Sequence, residues 1–186
     1  MIRILNLGSG TSLLLATVIS MCCSAVTVRG QSADFELPPI NYQDTDTDDR
    51  VARLANSLDS GAVQLNWEDQ YGYLPAVLDA LDVPVSSQAL VFSKTSLQLH
   101  RISPRRPRAV YFNDDVYVGW CQNGDVLELA ATDPNQGAIF YTIAQDGQNP
   151  AEIIRDRGQC MTCHASSRTQ GVPGYLVRSV FSDAAG

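Results

Sequence analysis

The stretch that decides the fold is "RAVYFNDDVYVGWCQNGDVLELAATDPNQGAIFYTIA", residues 108–144. It holds four short runs rich in β-branched and aromatic residues, separated by turn-forming residues. The pair Asn123-Gly124 lies between two of the apolar runs and is a strong hairpin signal, because both residue types accept the positive φ of a tight turn. Four strands this close in sequence predict an antiparallel β-meander.

The segments on either side of the meander predict short helices. "DRVARLANSLDSG", residues 49–61, begins after Thr47 and Asp48, and carboxylates at this point stabilise the positive end of a helix dipole. A second short helix is predicted in "YLPAVLDALDV", residues 73–83, whereas residues 86–102 fit either a helix or an extended segment.

Towards the C-terminus, "PAEIIRDRGQ", residues 150–159, predicts a helix that leads into a Cys-x-x-Cys-His motif, and "YLVRSVF", residues 175–181, predicts a last strand. The predicted fold class is therefore α+β. It combines short N-terminal helices, a central antiparallel β-meander and a helix that carries the CxxCH motif near the C-terminus.

Residues 1–30 have the pattern of a secretory signal peptide. Arg3 precedes the apolar run "TSLLLATVISMCCSAV", and small residues allow cleavage after Ala25 or Gly30. The run is short for a membrane-spanning helix, although an uncleaved anchor is the alternative. The polar, proline-bearing residues 31–46 predict a disordered linker before an α+β domain at residues 47–186. We expect a periplasmic or otherwise extracytoplasmic protein that does not span the membrane once the signal is removed.

The charge balance excludes one class of partner. The chain of 186 residues has a formal net charge of −7. Arg3 and Arg29 are the only charged residues of the first thirty, which leaves 11 basic and 20 acidic side chains in the remainder. An acidic surface repels phosphate backbones, so we expect no nucleic-acid partner.

The motif Cys160-Met161-Thr162-Cys163-His164 matches the attachment signature of c-type haem. Thiols at i and i+3 of a helical turn project to one side, where each can add to a vinyl group of the porphyrin, and His164 is then the iron ligand. On average composition the pattern arises by chance in on the order of one chain in a thousand of this length. Covalent haem is attached outside the cytoplasm, in agreement with the predicted signal peptide.

Other functions for these cysteines remain open. A zinc site can draw on Cys160, Cys163, Cys121 and a histidine, but the sequence lacks a second cysteine pair. A thioredoxin-like disulfide belongs in a βαβ context, which is not predicted here. A structural bridge between Cys160 and Cys163 is a third alternative. Because Cys121 has no partner once the signal is removed, a disulfide framework explains the cysteines poorly.

The remaining haem contacts are predicted from the few suitable side chains. His100 is the only histidine besides His164, and as a second iron ligand it gives a bis-histidine haem suited to electron transfer. If His100 does not bind, the iron stays open to a small ligand. Arg105 and Arg106, in the arginine-rich "RISPRRPR", are candidates for pairing with the haem propionates, and the alternative is a solvated basic loop.

The segment from "ISPRRPRAVYFNDDVYVGWC" through "GAIFYTIAQ" to "CMTCHASSRTQGVPGYLVRSVF" resembles exported bacterial c-type cytochrome-like proteins with a single CxxCH signature, over residues 88–182. The resemblance implies a periplasmic protein with one covalent haem c, and a chain that continues beyond Gly186, so that this one is C-terminally truncated. We expect an electron carrier with an unidentified redox partner rather than a catalyst. The alternatives are a haem enzyme or a gas or redox sensor with an open distal site, and a haem-free zinc or structural module.

Overall fold

A computed structural model describes residues 34–147 and 150–177 and contains a six-stranded antiparallel sheet whose strands lie in sequence order. The α+β class and the central meander are confirmed. The strands are β1 (Ala89–Val91), β2 (Arg108–Phe112), β3 (Val116–Trp120), β4 (Val126–Asp133), β5 (Gly137–Ala144) and β6 (Ile153–Arg155), and the helices are α1 (Arg50–Asp59), α2 (Leu74–Ala80) and α3 (Met161–His164).

The first face of the sheet carries the hydrophobic core. Side chains alternate between the faces of a strand, so Val118, Leu129 and Tyr141, which are paired across β3, β4 and β5, point to the same side. Helices α1 and α2 cover this face. Their contribution to the buried core includes Val51, Leu54, Leu74, Val77 and Leu78.

Helix α1 is fixed to this face by its N-cap residue, Asp49. The Asp49 carboxylate accepts hydrogen bonds from the backbone N–H groups of Val51 at 2.8 Å and Ala52 at 2.9 Å, which is N-cap geometry. Its other oxygen accepts a hydrogen bond from the Tyr141 hydroxyl on β5. Asp49 is only 2% exposed, so the predicted acidic helix start also joins the helix to the sheet.

The prediction of a disordered linker over residues 31–46 is wrong for its described part. A 3-10 turn at Asp34–Glu36 is followed by Tyr42, which is fully buried in the core. Arg155 on β6 donates hydrogen bonds to the carbonyls of Tyr42 and Thr45, and its guanidinium lies 5.0 Å from the centre of the Tyr42 ring. The segment is ordered because its carbonyl groups accept hydrogen bonds from a partly buried arginine far along the chain.

The helix predicted over residues 150–159 is also wrong, because residues 153–155 form β6 and pair with the free edge of β5. Between residues 86 and 102 the chain is extended at β1 and forms a 3-10 turn at Leu99–Arg101. Residues 175–177 have no strand pairing, and the rest of the predicted last strand lies outside the described residues, as does the predicted signal peptide. Within the described part, every helix is too short or too polar to cross a membrane.

Candidate functional site

The second face of the sheet forms the floor of a cavity of about 440 Å³. Small residues lie at the middle of this floor, since Gly119 on β3 and Ala130 on β4 both line the cavity. Aromatic side chains stand beside them, with Tyr117 paired to Ala130 on one side and Phe140 on the other. The volume lies within the range of small-molecule and cofactor sites, and the lining is largely apolar.

The CxxCH motif lies directly on this cavity. After β6 the Asp156 carboxylate accepts hydrogen bonds from the backbone N–H groups of Gly158 at 3.1 Å and Cys160 at 3.0 Å. These bonds fix the turn from which α3 begins. Within α3 the His164 N–H donates to the Cys160 carbonyl at 2.9 Å, so the motif occupies a single helical turn. Cys160, Cys163 and His164 all line the cavity.

The His164 imidazole is held in one tautomer. Its Nδ1 lies 2.9 Å from the Gly174 carbonyl oxygen, and because a carbonyl can only accept, Nδ1 carries the proton. The Gly174 N–H donates back to the His164 carbonyl at 2.9 Å. The ring centre lies 4.4 Å from that of Phe140. Burial lowers the pKa of His164, which keeps the ring neutral at neutral pH, and Nε2 retains the lone pair that binds a metal.

The three described cysteines are free thiols and lie in different environments. Burial, reinforced by the Asp156 carboxylate, raises the pKa of Cys160 to about 12. Cys163 is exposed at the rim of the cavity. Cys121 is buried at the end of β3, and burial raises its pKa to about 11. It does not line the cavity, and among the described residues no three His, Cys, Asp or Glu side chains converge as a metal site would require.

A partly buried ion pair crosses the floor of the cavity. Arg108 on β2 and Glu128 on β4 approach to 2.7 Å, and their side chains are 17% and 16% exposed. The intervening strand contributes Gly119, where an added Cβ would lie 3.6 Å from both side chains. The two side chains therefore meet above Gly119, in a space that would still admit a Cβ at ordinary contact distance.

The segment of residues 93–99 forms one wall. Gln98 is 3% exposed, and its side-chain amide donates to the Val126 carbonyl at 2.9 Å while its oxygen accepts from the Asp125 N–H at 2.6 Å. The Ser96 hydroxyl donates to Glu128. Leu97 and Leu99 from this segment line the cavity although they are 43% and 52% exposed. This wall therefore presents leucine side chains to the cavity, and hydrogen bonds of Gln98 and Ser96 hold it against the sheet.

The predicted site residues divide into two groups. The cavity brings together Cys160, Cys163 and His164, but its described lining does not include His100, Arg105 or Arg106. His100 lies on the surface, where its Nε2 is 3.5 Å from an Asp125 carboxylate oxygen and its side chain is 59% exposed.

Both predicted propionate ligands, Arg105 and Arg106, are exposed. Arg108, the last arginine of "RISPRRPR", does line the cavity, and strand alternation puts it on the same face of β2 as Val110. Gly119 is the residue that sequence reasoning missed.

No protein-family model matches the sequence, and no curated protein or solved structure matches it either. The interpretation of the site therefore rests on its residues.

Proposed function

We propose that the protein is a periplasmic c-type cytochrome-like protein that binds one haem covalently through its CxxCH motif and transfers electrons. The observation that carries the proposal is that both motif thiols and the neutral His164 ring line the same apolar cavity. Ala130, a small residue between Tyr117 and Phe140 on the floor, gives a flat ligand a surface to lie against.

Each motif residue then has a defined role. Cys160 and Cys163 would hold the porphyrin through thioether bonds, and His164 would bind iron through Nε2 while Gly174 orients the ring. Phe140 and Tyr117 would exclude water from the porphyrin faces. When bound, haem supplies one-electron redox chemistry. The exposed position of Cys163 favours a haem edge near solvent, as electron exchange with a partner protein requires.

The proposal is tested by producing the full chain with export and haem-ligation machinery and staining for haem after denaturing electrophoresis. We expect a stained band for the native chain and for Cys121→Ala, whose thiol lies away from the cavity. The double variant Cys160→Ala/Cys163→Ala should lose the stain entirely. A colourless native chain that retains zinc would refute the proposal.

A second candidate function is a haem enzyme or gas sensor with an open distal site. It is favoured by the described cavity lining, in which His164 is the only histidine and no methionine is present. Carbon monoxide added to the reduced protein discriminates between the two functions. A shifted spectrum in both the native chain and His100→Ala supports the open site. A native spectrum that ignores the gas, combined with a shift in His100→Ala, supports the electron carrier with His100 as its second iron ligand.

A further inference from the structure

We propose that Arg108 is the residue that binds a carboxylate of the porphyrin in this cavity, in place of Arg105 and Arg106. The inference rests on the proposed function and adds a residue that recognises the ligand. Arg108 lines the cavity, whereas the described lining contains neither Arg105 nor Arg106. Those two arginines belong to a surface turn, closed by the bridge between Ser103 and Arg106.

The position of Arg108 is set by its neighbours on the sheet. One guanidinium nitrogen, Nη1, donates to Glu128 at 2.7 Å. Glu128 also accepts from the Ser96 hydroxyl and, at 3.4 Å, from the Gln98 amide. A carboxylate with three donors is firmly held, and Gly119 leaves the space in which the two side chains meet. The ion pair therefore places the arginine side chain over the floor of the cavity.

Part of the hydrogen-bonding capacity of Arg108 remains for a ligand. A guanidinium has five N–H groups, and within residues 34–147 and 150–177 the bond to Glu128 is the only one that Arg108 donates. Its Nε is buried and has no partner among these residues. Nη1 binds Glu128 and Nε is covered by neighbouring atoms, so Nη2 is the donor left for a ligand carboxylate.

The surroundings strengthen this contact. Val110, Ala130 and Phe140 line the same cavity, and a charge-assisted bond beside apolar side chains is screened less than one in water. A flat apolar ligand with a carboxylate at its edge fits such a site, since its ring covers the floor while the carboxylate reaches the arginine. A porphyrin with propionate side chains has this chemistry.

The test uses the full chain produced without haem, with folding checked by circular dichroism, and metal-free mesoporphyrin as the probe. Mesoporphyrin has ethyl groups in place of vinyl groups and no iron, so it forms neither thioether bonds nor a bond to His164. Its dimethyl ester lacks the carboxylates. Binding of both probes is measured by quenching of tryptophan fluorescence. The proteins compared are the native chain, Arg108→Gln, Glu128→Gln, Lys94→Gln and the control Arg105→Gln/Arg106→Gln.

We expect Arg108→Gln to weaken binding of the diacid roughly 10- to 100-fold and to change binding of the ester less than about threefold. Glu128→Gln should bind the diacid at least as tightly as the native chain, because it removes a competing carboxylate. The control should stay within about twofold of the native chain.

If Arg108→Gln and Glu128→Gln weakened binding of the diacid and of the ester equally, the ion pair would only maintain the structure. That result would overturn the inference. Loss of diacid binding in Lys94→Gln with none in Arg108→Gln would also overturn it, since Lys94 lines the cavity as well. Failure of covalent attachment is a separate result. A chain that never stains for haem but shows the expected diacid preference would refute the proposed function and leave the role of Arg108 standing.

Discussion

Asp49 provides a prediction of stability that follows directly from its contacts. Replacing it by Ala removes the N-cap of α1, with its two backbone hydrogen bonds at 2.8 and 2.9 Å, at a cost of about 1 kcal/mol. It also deprives the buried Tyr141 hydroxyl of its main acceptor, which costs about 1–3 kcal/mol. Tyr141 keeps a weaker contact with Thr47 Oγ1 at 3.2 Å, so the total should be about 2–3 kcal/mol.

The assay is urea unfolding of the full chain followed by far-ultraviolet circular dichroism. For a chain of this size the same loss lowers Tm by roughly 5–10 °C. Asp48→Ala is the matched control, because the neighbouring Asp48 carboxylate is 84% exposed and, among the residues that the structure describes, pairs only with the exposed Arg53. Its change in unfolding free energy should stay within about 0.5 kcal/mol.

A double-mutant cycle with Tyr141→Phe separates the cap from the link to the sheet. The two substitutions should be coupled by about 1 kcal/mol, since each removes one side of the same hydrogen bond. Equal costs for Asp48→Ala and Asp49→Ala, or strict additivity of Asp49→Ala and Tyr141→Phe, would refute the account of how α1 is joined to the sheet.

Three further predictions concern alkaline pH, thiol reactivity and the cavity floor. Burial and the hydrogen bond to Asp49 raise the pKa of Tyr141. The stability that depends on the neutral phenol is therefore complete below about pH 10, the ordinary pKa of an unfolded tyrosine, and is lost as pH rises through the folded-state pKa. The unfolding free energies of the native chain and of Tyr141→Phe should converge above about pH 10, and parallel curves would contradict this. In the haem-free chain, iodoacetamide should modify the exposed Cys163 first. Burial raises the pKa of Cys121 to about 11, so this thiol should react on the order of 100-fold more slowly than an ordinary thiol at pH 8. Peptide mapping that finds Cys121 modified first would be inconsistent with its burial. Gly119→Ala should raise the unfolding free energy by about 0.5–1 kcal/mol, because the added methyl would meet its nearest atom at an ordinary contact distance of 3.5 Å. Gly137→Ala should lower the unfolding free energy by more than about 1 kcal/mol, because Gly137 has φ +82° and an added Cβ would lie 2.6 Å from the Pro173 carbonyl oxygen. A loss of stability in both variants would show that the space above Gly119 does not admit a methyl group.

The meander could be predicted because its information is local. Alternating apolar residues and the Asn123-Gly124 turn define strands that pair with their sequence neighbours, and the structure pairs β2 to β5 in that order. The helix start at Asp49 was predictable for the same reason, since capping is a property of a few consecutive residues.

The errors occur where distant residues decide the conformation. "PAEIIRDRGQ" has the composition of a helix, but residues 153–155 pair instead with the edge of β5 that β4 leaves free. Arg155 then donates hydrogen bonds to Tyr42, Thr45 and Gln136, and the bonds to Tyr42 and Thr45 order a polar segment whose own sequence favours disorder. Local sequence propensity cannot predict either contact, because β5 and Arg155 are each far from the segment that they order.

The candidate site was predicted in part. The spacing of Cys160, Cys163 and His164 places them on one helical turn beside the cavity, as a local motif can. Of the residues considered outside the motif, Arg108 lines the cavity, whereas its described lining does not include His100, Arg105 or Arg106. The local sequence could not show this difference, because it depends on how β2 pairs with β3.

The most direct test of the central claim is the intact mass of the exported full chain, measured under denaturing conditions after production with haem-ligation machinery. We predict the mass of the polypeptide plus one haem, and the mass of the polypeptide alone for Cys160→Ala/Cys163→Ala. A native chain with no added mass, despite a control cytochrome that is loaded in the same cells, would contradict the assignment of this motif as a haem attachment site.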